Sequence, residues 1–120
     1  MSVIIYHNPR CSKSRKTLEL LEEHQQQPQV IEYLKTPPDA KTLKQLLVKL
    51  GISARDLLRS KEEEYKLAGL GDQNLSEDEI IAAMIKYPKL IERPIVVFGN
   101  KAILGRPPEK VLELIRHDDA

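Results

Sequence analysis

Val3-Ile4-Ile5-Tyr6-His7-Asn8-Pro9-Arg10-Cys11-Ser12-Lys13-Ser14-Arg15 sets the chain's one cysteine between an apolar run and a helical pattern. Val3 to Tyr6 is β-branched and wholly apolar, the signature of a central strand buried on both faces. From about Ser12 to His24 the pattern turns helical, with Leu18 and Leu21 on one face and Glu22 and Glu23 on the other. The thiol therefore falls at a helix N-terminus, with Arg10, Lys13 and Arg15 around it and His7 upstream. Helix N-termini and cationic neighbours both favour the thiolate, which is the nucleophilic form. The unpaired first-turn amides also suit an anion bound beside the sulfur. The loop reads as an anion site with a nucleophile, Cys11, inside it. A buried structural cysteine behaving as a small hydrophobe is the alternative.

The elements further along fix the fold class. Gln29 to Leu34 gives a second strand, closed by Thr36-Pro37-Pro38, so strand, helix and strand form a right-handed βαβ unit with parallel strands. The middle is helical: Leu43, Leu46, Leu47 and Leu50 recur at helical spacing before Gly51. Ser53 caps a short segment through Leu57 and Leu58 to Arg59, and Ser60 to Glu63 opens another turn or two. Ser76-Glu77-Asp78-Glu79 is a capping box before Ile80, Ile81 and Met84, and that helix ends at Tyr87-Pro88. Ile95 to Phe98 and Lys101 to Leu104 flank the two-residue turn Gly99-Asn100, and Val111, Leu112, Leu114 and Ile115 line a last helix. The order βαβ, helical insert (about 39–88), ββα predicts an α/β fold with a four-stranded mixed sheet flanked by helices. That is the thioredoxin-like arrangement, here one domain over 1–120, with the reactive cysteine after the first strand.

Composition narrows the partners. The 120 residues carry a formal net charge of +1, so binding to nucleic acid or membrane through bulk charge is not expected. No apolar stretch approaches the roughly 20 residues that span a bilayer, and no secretory signal is visible, which predicts a cytoplasmic protein. A lone cysteine excludes an internal disulfide, so a redox cycle must borrow an external thiol. His24 and His117 lack metal-ligand spacing, and no metal motif or nucleotide fingerprint is present, so no bound cofactor is expected.

Several residues join Cys11 as site candidates. Ser14 completes Cys-x-x-Ser; its hydroxyl either donates to the thiolate or satisfies backbone in the first turn. His7 tunes the thiol, contacts the anion, or holds the loop through a backbone carbonyl. Arg59, Arg93 and Arg106 each stand at the edge of an element, and guanidinium forks match tetrahedral oxyanions bidentately without losing charge. Taken singly, each is a solvated charge as readily as a ligand. Pro94 opens the third strand, where this fold often sets a cis-proline facing the thiol; a plain strand-start proline is the other reading.

Ile5-Tyr6-His7-Asn8-Pro9-Arg10-Cys11, Leu57-Leu58-Arg59, Glu92-Arg93-Pro94-Ile95-Val96-Val97 and Gly105-Arg106-Pro107 together resemble the glutaredoxin-coupled arsenate reductases. The resemblance runs through essentially the whole chain in order. It implies that Cys11 attacks arsenate and expels water to leave a thioarsenate ester. Arg59, Arg93 and Arg106 would clamp the oxyanion, and His7 would help tune the thiol. Glutathione would be the external donor, with glutaredoxin resolving the mixed species so that arsenite leaves. The well-characterised reductases carry Gly-Thr after the cysteine where this chain has Ser12-Lys13, and they run longer at the C-terminus. The chain looks closer to an arsenate-reductase-like branch with the Cys-Ser-Lys-Ser motif. Two other functions fit parts of the pattern. A general glutathione-dependent thiol oxidoreductase acting on protein mixed disulfides needs Cys11 but not three arginines. A non-catalytic regulator resembling the Spx-type RNA polymerase-binding proteins would typically carry Cys-x-x-Cys, which Ser14 removes.

Overall fold

The structure, a computed structural model, describes residues 2–119, with side chains described through Ile115. The side chain of His117 thus lies outside the described residues. Contacts divide the chain into two compact units, Met1–Thr36 with Arg93–Ala120, and Pro37–Glu92. The helical insert expected over about 39–88 lies inside the second.

The first unit is a four-stranded mixed sheet. Its strands are β1 (Val3–His7), β2 (Gln29–Glu32), β3 (Ile95–Phe98) and β4 (Lys101–Leu104), in the order β2-β1-β3-β4. β1 runs parallel to β2 and antiparallel to β3, and β3–β4 is the expected hairpin closed by Gly99-Asn100. β1 and β3 are the interior strands, and they are the two continuous apolar runs. In register, Ile5 faces Val30 on one side and Val96 on the other. Helix α1 (Ser12–Glu23) and the last helix (Val111–Asp119) cover one face of the sheet. Val3, Ile5, Val96 and Phe98 of the strands pack there against Leu20, Leu21, Val111, Leu114 and Ile115. Each aliphatic side chain so buried contributes on the order of 1.5–3 kcal/mol of transfer free energy. β2 stops at Glu32, two residues before the expected end, because Lys35 and Thr36 both donate backbone N–H groups to the Glu32 carbonyl and wind the chain into a turn.

The second unit is helical, with α2 (Ala40–Leu50), α3 (Ala54–Leu57), α4 (Glu63–Leu67) and α5 (Glu77–Lys86), which makes the last helix of the chain α6. Asp39 caps α2 by accepting the Thr42 N–H at 2.8 Å, and Gly51 ends it in the left-handed region at φ 71°. The capping box of α5 is formed, Ser76 accepting from the Glu79 N–H and Glu79 from the Ser76 N–H. Leu43, Leu46, Leu47, Ile80, Ile81, Met84 and Leu90 are among the buried apolar residues of this unit. One expectation fails here. Leu58 and Arg59 do not end a helix, because α3 stops at Leu57 and Leu58 turns extended to form an antiparallel bridge with Ile91. No described helix is long and apolar enough to cross a membrane.

Candidate active site

β1 delivers the chain into the loop Asn8–Arg10, which is tied by short hydrogen bonds. The Asn8 side-chain oxygen accepts the Arg10 N–H at 3.0 Å, and the Asn8 carbonyl accepts the Cys11 N–H at 3.0 Å. Cys11 is then the N-cap of α1, extended at φ −91° and ψ 122°. The cap position normally belongs to Ser, Thr, Asp or Asn, whose oxygen accepts a first-turn amide. Here the thiol closes no capping hydrogen bond, but the first-turn amides of Ser14 and Lys13 and the Arg93 guanidinium lie close enough to favour its thiolate. Burial pushes the thiol pKa up. The Ser14 amide, the Arg93 hydrogen bond, the Lys13 amide and the Arg93 charge together outweigh burial and hold it below the ordinary thiol value. Cys11 stays half-buried, so the sulfur is both desolvated and reachable.

Ser14 is fully buried, and the hydrogen bonds of its hydroxyl run to His7 and Asn8. It lies 2.6 Å from His7 Nδ1 and accepts the Asn8 N–H at 3.1 Å. His7 therefore holds the loop through the Ser14 side chain rather than a backbone carbonyl. Burial lowers the His7 pKa against a raising pull from Glu32, its register partner on β2, and Arg15 lowers it further. The imidazole is thus kept toward its neutral form, which suits a closed hydrogen bond to a hydroxyl. His7 and Ser14 brace the bend whose backbone cradles the sulfur.

From the opposite side, β3 begins at the thiol. Arg93 precedes the buried Pro94 through a cis peptide bond, and Arg106 precedes Pro107 through another. Arg106 Nη1 donates to the Arg93 carbonyl at 3.1 Å, which links the second arginine to the backbone of the first. Gly105 makes this packing feasible. A Cβ at that position would stand 2.5 Å from Thr17 Oγ1 and 2.8 Å from Pro94 Cγ, while its N–H donates to the Pro94 carbonyl at 3.0 Å. Gly105→Ala is therefore expected to cost about 1–3 kcal/mol, the usual range for overpacking. Urea denaturation read beside the wild type measures it.

The first unit thus brings Cys11, His7, Ser14, Arg93, Pro94 and Arg106 into one cluster. Arg59 belongs to the second unit. There its Nη1 donates to Glu92 Oε1 at 2.5 Å, and its Nε lies 3.8 Å from Glu62 Oε1. Sequence reading missed Glu92, which stood in the Glu92-Arg93-Pro94 stretch without a role. Around Cys11 the exposed residues are Arg10, Ser12, Lys13 and Arg15, and Arg15 Nη1 ties back to the Pro9 carbonyl at 2.9 Å. A thiolate under helix amides, with guanidinium donors beside it, can attack the central atom of a small oxyanion or the sulfur of a disulfide.

Comparison with known proteins narrows the kinship. The model of the ArsC family matches residues 6–114. Escherichia coli K12 YfgD, described as uncharacterised, is 59% identical over 114 residues, 94% of this chain and 96% of that protein. The arsenate reductase of Haemophilus influenzae is 49% identical over 116 residues, covering 96% of this chain and 100% of the relative. A solved structure, the arsenate reductase of Vibrio cholerae, superposes with a TM-score of 0.92 at 58% identity and covers 94% of this chain and 97% of its own. That superposition bears out the thioredoxin-like α/β arrangement expected from the order of elements. With the match running from the first strand into the last helix, the chain belongs to the ArsC family.

Proposed function

We propose that this protein is an arsenate reductase in which the Cys11 thiolate is the nucleophile. The observation that carries the reading is the sulfur at the N-cap of α1, half-buried beside the Ser14 and Lys13 amides and the Arg93 guanidinium, which lower its pKa. The same donors that stabilise a thiolate are placed to stabilise the oxygens of a tetrahedral anion beside it. Kinship with curated arsenate reductases along nearly the full chain supports arsenic as the central atom.

In the proposed cycle Cys11 attacks arsenic, an S–As bond forms, and one As–O bond breaks with the oxygen leaving as water once protonated. Two external thiols then supply the two electrons that take As(V) to As(III). The balance is arsenic acid plus two thiols giving arsenous acid, one disulfide and water. Glutathione is the proposed donor and a glutaredoxin the proposed partner, since this chain has no second cysteine to resolve Cys11. Arg93 and Arg106 are the proposed oxyanion donors of the first unit, and Arg59 is added to them on the motif resemblance. Binding to nucleic acid or membrane plays no part, and the proposed setting is the cytoplasm.

The test is arsenite production with glutathione, glutaredoxin and an NADPH-coupled glutathione reductase. Turnover that requires arsenate supports the proposal. Turnover of a protein–glutathione mixed disulfide, with none of arsenate, would replace it with the general thiol oxidoreductase reading.

A further inference from the structure

Arg59 reaches its place by a construction independent of its charge. The Arg59 N–H donates to the Leu90 carbonyl at 2.8 Å, and the Glu92 N–H donates to the Leu57 carbonyl at 2.9 Å. Between them Leu58 bridges Ile91 in antiparallel fashion. Leu57, Leu90 and Ile91 are buried to within about 1% exposure, so this two-rung clip is anchored in apolar packing. In such a pairing residues 59 and 92 are diagonal neighbours on one face, within reach for long side chains. The Arg59 Nη1–Glu92 Oε1 hydrogen bond of 2.5 Å spans that diagonal, both side chains being about four-fifths buried at 21% and 23% exposure. The second carboxylate, Glu62, stands 3.8 Å from Nε, and the buried Nε has no hydrogen-bond partner among the described residues. Glu92 is thus the group whose hydrogen bond orients the guanidinium.

We infer that Glu92 is a positioning residue that holds the Arg59 fork in one orientation for the oxyanion; the inference rests on Arg59 being an oxyanion ligand. A long, flexible arginine loses rotamer freedom whenever it binds an anion, and a charge-assisted tie made beforehand removes that loss from the binding step. The tie also places a carboxylate beside the guanidinium, which offsets part of the charge that the anion would meet. Glu92→Gln separates these two effects, because its amide oxygen is a weaker acceptor and carries no charge. If orientation dominates, binding weakens on substitution. If charge dominates, it tightens.

The experiment measures kcat and KM for arsenate in wild type, Glu92→Gln and Glu92→Asp, with melting temperatures alongside. It also follows the Arg59 side-chain NH signals by NMR in the substrate-free protein. The expected result is a KM about tenfold higher in Glu92→Gln, with kcat within about threefold. Glu92→Asp recovers most of the KM, and the slow guanidinium rotation of the wild type becomes fast in Glu92→Gln. An unchanged or lower KM in Glu92→Gln, or an equal fall in KM performance and melting temperature that Glu92→Asp does not repair, overturns the inference. A wild type that turns over no arsenate would refute the arsenate reading instead. The NMR comparison then decides the positioning by itself: equal Arg59 rotation with and without the Glu92 carboxylate rejects it.

Discussion

Cys11→Ser is expected to abolish arsenate reduction, with a loss on the order of 10⁴-fold or more and a fold left intact. The sulfur contributes little to packing, being half-buried at a helix cap, and serine is among the preferred residues at that position. Melting temperature should therefore hold or rise slightly while turnover vanishes. The chemical reason is the gap in acidity. The amides of Ser14 and Lys13 and the Arg93 guanidinium hold the thiol below its ordinary value, so more of it is ionised at a given pH than of a free thiol. The same donors leave an alkoxide far out of reach, since an aliphatic hydroxyl starts many units higher. The measurement is NADPH-coupled arsenate turnover beside a thermal melt. Residual turnover above about one-tenth of wild type in Cys11→Ser would remove the nucleophile from the account.

Arg93→Ala should lower kcat/KM for arsenate by about 10²–10³-fold, the range for removing one donor from an oxyanion site. Two losses combine in it. Arg93 supplies both a hydrogen bond and a charge to the Cys11 sulfur, so without it the thiol pKa moves up toward the ordinary value and the thiolate fraction at neutral pH falls. The oxyanion also loses a cationic donor in the transition state. The two are separable, because raising the pH restores the thiolate but not the donor. The pH profile of Arg93→Ala should therefore shift to the alkaline side and plateau well below the wild type. From the sequence Arg93 is an oxyanion-clamp candidate at a strand edge, with a solvated charge as the other reading. The structure has it half-buried and bonded to sulfur, so a stability cost of about 1 kcal/mol, a few degrees in melting temperature, is expected as well. A profile superimposable on wild type would show that Arg93 neither tunes the thiol nor meets the anion.

The strands of the sheet were legible because Val3 to Tyr6 and Ile95 to Phe98 are continuous apolar runs, which interior strands demand. The start of α5 was legible because a capping box states its chemistry within four residues. What escaped were features made by pairing across distance. Leu57-Leu58 looks like the end of a helix until Ile91 pairs with Leu58, more than thirty residues away in sequence. Local periodicity holds no trace of that register, so the tie between Arg59 and Glu92 was invisible too. At the thiol, Cys-x-x-Ser left two roles open for the Ser14 hydroxyl, and the structure has it satisfying backbone. The Ser14 amide reaches the sulfur, while its hydroxyl is taken by His7 and the Asn8 N–H. A side-chain motif cannot say which backbone donors a cap will aim.

The most direct test of a thiolate built into an anion site is the rate of Cys11 alkylation by iodoacetamide as a function of pH, with and without arsenate. Because the folded state favours the thiolate, it binds fewer protons than the unfolded chain between the two thiol pKa values, and stability should rise with pH across that window. The expected result is an alkylation midpoint below the ordinary thiol value, moving upward in Arg93→Ala, and protection of Cys11 by arsenate in the wild type. A midpoint at or above that of a free thiol, with no protection by arsenate, would contradict it.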